Sequence, residues 1–427
     1  MLFIMKIFRN KIIRYAYLGW FVITLFFSYQ YVLRVAPGVM IHDIRQSFHI
    51  TAEQFATLGA LYLLAYAALQ IPLGILVDKI GVKKMCLYSI ATLSGGALLL
   101  ATTHIFWVAQ VSRIIMGMGS ASAFMCALKF IADHIPPGNR GFLMGATLTL
   151  GTGGAIIFGR VLKYFDELYY WHEIITVIAG SGLVIFTLIA VIVKGVKEDR
   201  NILLNEKSLS QNLRDIIDIM CSTRILIYAV LAVGLYTPLS ALADLWGTAF
   251  IEQKFGLDKS EAAQSIMTLY IGLTVGSLLL PWLSEKYNIL NKTIVICGFG
   301  LLVAFSILLY SPNLSYSGLI FTLFLTGFFG GAEMMCFTGA LTNSRQHDSG
   351  QIIGVVNTLN MLGGALVQQL VGTFLDEQWD GNVNSFGLRQ YSTHQFENSL
   401  SILTVLIGLC CIFSLFLFAS KFKSNKY

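Results

Sequence analysis

Apolar residues fall along this chain in long blocks separated by short polar turns. A helix needs about 20 apolar residues to cross the hydrocarbon core of a bilayer, and about twelve blocks reach that length. They lie near 15–42, 53–77, 85–104, 106–131, 141–164, 172–194, 223–250, 262–284, 293–310, 316–341, 351–374 and 396–420. Backbone groups in lipid must pair within their own segment or in a closed barrel, so blocks this long predict helices. The expected fold is an all-α membrane protein with 12 transmembrane helices in two pseudo-symmetric six-helix bundles. Composition agrees: the chain is 56% hydrophobic and 12% charged, against about 25% charged for a water-soluble domain.

Charge then sets an orientation. Lys6, Arg9, Lys11 and Arg14 precede the first span, and Lys79, Lys83 and Lys84 follow the second. Lys194, Lys197, Arg200, Lys207, Arg214 and Arg224 occupy or flank the central loop, and Lys421, Lys423 and Lys426 lie beyond the last span. About 20 of the 29 bases fall on one side and about six on the other, which predicts that side, with both termini, to be cytoplasmic. The net charge of +6 is thus topological, and nucleic-acid binding is a poor alternative. The segment from Met1 to Trp20 has no small-residue cleavage site and reads as part of an uncleaved first span. Seven cysteines show no ligand spacing, so neither a metal nor a cofactor is expected.

The chain is also written twice. Thr51-Ala-Glu-Gln54 reads as a capping box opening the second helix, and Asp258-Lys-Ser-Glu261 as one opening the eighth. Asp78-Lys79 follows the second helix as Glu285-Lys286 follows the eighth, and Gly141 and Gly145 open the fifth as Gly350 and Gly354 open the eleventh. The expected domains are an N-terminal six-helix bundle over 1–194, a cytoplasmic linker over 195–222 and a C-terminal bundle over 223–427. Duplicated halves of this kind hold a solute at their interface near the bilayer midplane. The loop near 375–395, with Asp376, Glu377, Trp379, Asp380 and Arg389, reads as an external, solvated connector, with a docking surface as the other reading.

The turn after the second span, Gly74-Ile-Leu-Val-Asp78-Lys79-Ile80-Gly81-Val82-Lys83-Lys84, resembles the signature loop of the major facilitator superfamily of secondary transporters. The resemblance covers nearly the whole chain and implies that this loop is a conformational lock. Gly74, Asp78, Lys79, Gly81 and Lys83 form it, Asp78 sits near the start of the eleventh helix around Gly350, and Arg140 is a possible ion-pair partner. Arg113-Ile-Ile-Met-Gly117-Met-Gly119 resembles the family's second motif, whose arginine is tied to coupling; bonding of neighbouring carbonyls is the other reading. The fifth span has Gly145, Gly151, Gly153, Gly154 and Gly159 but no proline, unlike the family's drug-exporting antiporters.

Most charges lie in loops or towards span ends; those read as intramembrane are informative, because a charge costs on the order of 3 kcal/mol or more at the helix centre. They are Arg34, Arg113 and Lys129 in the first half and Asp244 and Glu333 in the second. The first helix is expected to continue past Arg34 through Met40 towards Ser47, which places Arg34 near mid-depth. Its planar fork of donors fits a carboxylate, as in the family's organic-anion symporters; a structural pair with Asp244 is the alternative. Glu333 and Asp244 are candidates for a carried proton, because burial favours the neutral carboxyl; permanently paired structural acids are the alternative. Lys129 either reaches the interface or joins binding or gating.

Among uncharged groups, Tyr31 neighbours Arg34, while Tyr62, Tyr66 and Gln70 share one face of the second helix. Asn357 and Asn360 lie one turn apart on the eleventh, and these groups either orient a polar solute or bond neighbouring helices. Arg34-Val-Ala-Pro37, Ile50-Thr51, Tyr62, Tyr66, Gln70-Ile-Pro72-Leu-Gly74 and Asp78 resemble a bacterial importer branch that includes phagosomal nutrient (amino-acid) transporters.

The expected activity is alternating-access transport of a small polar or carboxylate-bearing solute across the bacterial inner membrane, by proton symport and as a monomer in the lipid bilayer. Alternatives are a siderophore or other metabolite exporter or antiporter of this fold, or a transporter-like sensor. No enzyme is expected, since no nucleophile–base pair is evident.

Overall fold

The computed structural model describes residues 11–165, 169–193, 216–341, 349–415 and 417. Ten helical segments among them are long and apolar enough to cross a membrane. Pro137–Phe165 and Ser349–Glu377, 29 residues each, bring the long segments to 10 + 2 = 12.

The duplication is visible in helix lengths. Ala52–Ile80 and Lys259–Tyr287 both have 29 residues, and Val82–Thr102 and Leu290–Tyr310 both have 21. Phe106–Ser120 and Tyr316–Gly330 both have 15, and Trp171–Ile192 and Thr393–Ser414 both have 22. After those 15 residues the fourth and tenth spans both break for two residues, resuming at Ala123 and Glu333. The expected caps are present: Thr51 and Gln54 exchange side-chain bonds with each other's N–H, and Asp258 accepts from the Glu261 N–H at 2.7 Å.

One packing contact occurs in both halves. A Cβ placed on Gly117 would lie 2.3 Å from the Tyr62 carbonyl oxygen; one on Gly327 would lie 1.9 Å from the Leu269 carbonyl oxygen. Only glycine lets the fourth helix reach the second, and the tenth the eighth, at this separation.

Two further spans depart from a plain helix. The first runs Lys11–Val39, breaks at Met40 and re-forms as a short helix, Ile41–Phe48, so it is not the continuous helix the sequence suggests. Pro37 lies inside the first helix and has no N–H for the Leu33 carbonyl. The seventh runs Thr223–Pro238, then widens into a π-helical turn, Leu239–Trp246, before continuing as Gly247–Phe255.

By compactness the chain forms two units. The first comprises residues 1–36 and 61–212, and the second 37–60 and 213–427. Residues 37–60 belong to the first six-helix repeat by sequence, yet they pack with the second unit.

The glycine contacts yield a stability prediction. Gly117→Val and Gly327→Val each cost about 1–3 kcal/mol by overpacking, read as a lower thermal midpoint of the purified protein. Gly153→Ala, where an added Cβ meets nothing within 4 Å, leaves the midpoint within error or raises it slightly.

Candidate functional site

In the first unit the buried polar groups centre on Arg113, 1% exposed on the fourth span. Its Nη1 donates to the Leu33 carbonyl at 3.2 Å. That is the carbonyl which Pro37 leaves without a helical partner, so the arginine supplies the missing donor next to Arg34. The guanidinium also lies 4.4 Å from the centre of the Tyr62 ring. The Tyr62 hydroxyl is within hydrogen-bond distance of Gln30 Oε1 (2.9 Å) and Ser120 Oγ (2.7 Å). Gln70 donates its amide to the Ala121 carbonyl at 3.0 Å. Tyr62, Tyr66 and Gln70 are all buried, as their spacing on one face implies. Arg34 is buried too, its guanidinium 5.5 Å from the centre of the buried Tyr31 ring. Lys129 pairs with Asp133 one turn along, at 3.4 Å.

In the second unit the two intramembrane acids sit where helices are irregular. Asp244, 2% exposed, belongs to the π-helical turn and accepts a hydrogen bond from the Tyr270 hydroxyl. A π-turn removes one residue from regular register, a device common at functional sites. Gly38 packs on this turn so tightly that a Cβ there would lie 2.6 Å from the Asp244 carbonyl oxygen. Glu333, 6% exposed, opens the second segment of the broken tenth span and accepts from Asn360 Nδ2 at 2.5 Å. Asn360 is fully buried, and its Oδ1 has no hydrogen-bond partner among the described residues. Asn357, one turn earlier, is half-buried.

At the signature loop, Gly81 adopts φ +83°, a backbone that favours glycine, and starts the Val82–Thr102 helix. Gly74 faces Met125 at ordinary contact distance, 3.6 Å. Lys79 is exposed, and Lys83 donates to the Ala190 carbonyl at 2.8 Å. Arg140 Nε donates to the Ile135 carbonyl at 2.7 Å. The side chain of Asp78 lies outside the described residues, as do the basic residues at 194–214 and beyond 420.

Sequence reasoning passed over a polar cluster in the second unit. Asp376, at the end of the eleventh span, accepts from the Glu53 N–H (2.8 Å) and the Ala52 N–H (3.4 Å), the first amides of the Ala52–Ile80 helix. It also accepts from the Tyr391 hydroxyl and pairs with Arg389 Nη1 at 3.2 Å. Arg45, buried in the short helix, donates to the Arg389 carbonyl at 3.0 Å and lies 5.1 Å from the centre of the Tyr391 ring. Burial alone would raise the Asp376 carboxyl, but bonds from Thr51, Tyr391 and the Glu53 N–H, with Arg389 nearby, hold it below its ordinary value. Burial and the Asp376 bond push the Tyr391 phenol up. Burial also draws the Arg45 guanidinium down, against Tyr391 and Asp376. The loop is folded rather than a loose connector: Val383 bridges Arg389, and Arg389 stacks over Trp379 at 4.5 Å. The one sequence cue was a loop with both an acid and a base beside aromatic residues.

Comparison with known proteins fits this architecture. A probable sulfoacetate transporter of Cupriavidus necator, SauU, is 26% identical over 38% of this chain and 38% of its own length. An uncharacterized transporter of Bacillus subtilis, YybO, is 28% identical over 37% and 36%. The chain therefore spans little more than a third of either relative. The crystal structure of a bacterial homologue of the human lysosomal transporter Spinster, inward-facing and occupied, superposes with a TM-score of 0.77. That superposition covers 96% of this chain and 97% of the other at 14% identity, which establishes likeness of fold. The family model of the Major Facilitator Superfamily matches residues 6–368. With that match over most of its length, twelve long helices and a duplicated plan, the chain belongs to the Major Facilitator Superfamily.

Proposed function

We propose that this transporter-family protein carries a small carboxylate-bearing solute, an amino acid or an organic acid, by alternating access and proton symport. The moving bodies are the six-helix halves 1–194 and 223–427, in a bacterial inner membrane with both termini cytoplasmic, and the protein works as a monomer.

The observation that carries the proton assignment is the pair formed by Glu333 and Asn360. The carboxyl is 6% exposed at a helix break and meets an amide on one side. Asn360 Nδ2 serves the ionised carboxylate, and the amide's other end, Oδ1, is the acceptor that a protonated carboxyl would need. One side chain thereby accommodates both charge states of Glu333, as a carrier of protons requires. Asp244 is the second carrier candidate. Its bond from Tyr270 and its place in the π-turn tie its charge to the shape of the seventh span.

Arg34 supports the choice of solute. Its guanidinium stays charged at any working pH and offers the forked donors that bind a carboxylate. Tyr31, Tyr66 and Asn357 complete the solute contacts, while Tyr62, Gln70, Asn360 and Arg113 hold the helices that bear them. The signature loop, Gly74 to Lys83 with Asp78 and Arg140, acts as the lock at its own end. SauU, a relative, is named for a solute that carries a carboxylate. The resemblance to nutrient importers of intracellular bacteria favours uptake.

Two measurements test this. In proteoliposomes with an imposed pH gradient, inside alkaline, wild-type protein accumulates the solute found by a thermal-shift screen of amino acids and organic acids. Glu333→Gln abolishes accumulation against a gradient yet retains counterflow exchange, and Asp244→Asn does the same if it shares the proton. Full accumulation by the double variant removes the proton assignment. Arg34→Ala raises the solute's KM by about ten- to a hundredfold, the worth of a charge-assisted contact. An unchanged KM removes the carboxylate grip.

A further inference from the structure

We propose that Asp376, with the folded loop 378–391, is a clasp that holds the start of the second span, and that its release opens this end of the transporter. The purpose of the clasp rests on the transport reading above; its existence as a releasable contact does not.

The first N–H groups of a helix have no partner inside it. In Ala52–Ile80 the local capping box satisfies Thr51 and Gln54. It leaves the amides of Ala52 and Glu53, and those two are taken by Asp376, more than 320 positions along the chain. A carboxylate here is favoured twice, by direct bonds and by the positive end of the helix dipole. The bonds go to the backbone of the second span and, at its cap, to the Thr51 side chain.

The loop makes the contact specific. Tyr391 donates to Asp376 and accepts from the Ala52 N–H at 3.1 Å, so phenol and carboxylate share one helix terminus. Arg389 pairs with Asp376 by its guanidinium and accepts Arg45 by its carbonyl. The short helix Ile41–Phe48 is thereby tied to the same loop. Around this core lies a rim of polar contacts, His42 hydrogen-bonded with Glu252 at 2.5 Å and Asp43 ion-paired with Lys259 at 2.6 Å. The rim groups are more exposed than Asp376, whose side chain is 9% exposed, and exposed pairs are weak. The core, not the rim, sets whether the end stays shut.

The clasp also has a definite pH behaviour. The charged groups facing Asp376 are Arg389, Arg45 and Glu53, with the Tyr391 phenol. A carboxyl held below its free value of 3.8 stabilises the clasped form above that value and loses it only as pH falls through the lower, clasped value. Between about pH 6 and about pH 8 the clasp is therefore constant.

Hydrogen exchange read by mass spectrometry, on the full chain in lipid nanodiscs, tests the proposal without any solute. Asp376→Asn turns an acceptor into a partial donor facing two N–H groups. It is expected to speed exchange across peptides covering 45–60 by about tenfold or more, an opening-energy change of about 1.4 kcal/mol or more. Tyr391→Phe gives a smaller rise in the same peptides. Glu252→Gln at the rim stays within about twofold, and peptides of Leu290–Tyr310 stay unchanged in all three. Wild-type exchange in 45–60, corrected for intrinsic rate, is flat from about pH 6 to about pH 8. Unchanged exchange in 45–60 for both Asp376→Asn and Tyr391→Phe overturns the clasp. So does a rise that extends equally through 290–310, which would mean that Asp376 props the whole fold. Absence of solute uptake would count against the transport reading and leave the exchange result standing.

Discussion

A charge or an unpaired peptide group inside hydrocarbon has no water to turn to, and the buried polar groups of this chain are arranged under that one constraint. Pro37, inside the first span, leaves the Leu33 carbonyl without its helical donor. Arg113 supplies the missing N–H from the fourth span, and its own charge is met in part by the face of the Tyr62 ring. Asp244 is met by a phenol and Glu333 by an amide. In each case one helix's irregularity is balanced by a side chain from another. Such pairs cannot be moved independently: turning one helix leaves two groups unsatisfied.

The duplication separates packing from chemistry. Gly117 and Gly327 make the same contact in the two halves, against Tyr62 and Leu269. Two of the buried ions do not repeat. At the same offset of 210 positions (327 − 117), Arg113 corresponds to Leu323 and Glu333 to Ala123. The scaffold is thus built twice from one plan, while its charges differ: Arg113 and Glu333 each stand in a single half, and Arg34 and Asp244 share one repeat position (244 − 34 = 210) with opposite sign. That asymmetry locates function better than burial does, since residues needed only for close helix packing recur at the repeat distance.

What the sequence made legible follows from range. Block length gave the helices, and the pairing of Thr51 with Gln54 was readable because the partner is three residues away. The caps on Ala52 and Glu53 come from Asp376, and nothing local signals a partner that distant. Periodicity correctly put Tyr62, Tyr66 and Gln70 on one buried face but could not say that Tyr62 meets Gln30 and Ser120 or that Gln70 meets a carbonyl. The π-turn at Leu239–Trp246 was hidden in an unbroken apolar run, with Pro238 as the only cue. The first span was expected to pass unbroken towards Ser47, and Pro37, already visible in the sequence, was the reason to doubt it.

The Ala52–Ile80 helix joins the two devices that matter for access. Its 29 residues span about 44 Å at 1.5 Å per residue. Its last turn leads into the signature loop, and its first turn is held by Asp376. The helix carries Pro72 inside it, so its two ends are joined through one weakened turn. In the proposed transport cycle, contacts at the two ends of this helix would set a choice between two states. A solute or proton shifts that choice only by the difference in its own affinity for the two states. In that proposed cycle Arg34, Asp244 and Glu333 are the groups that would supply the difference, since the cost of an unmatched charge in lipid changes most when a helix turns.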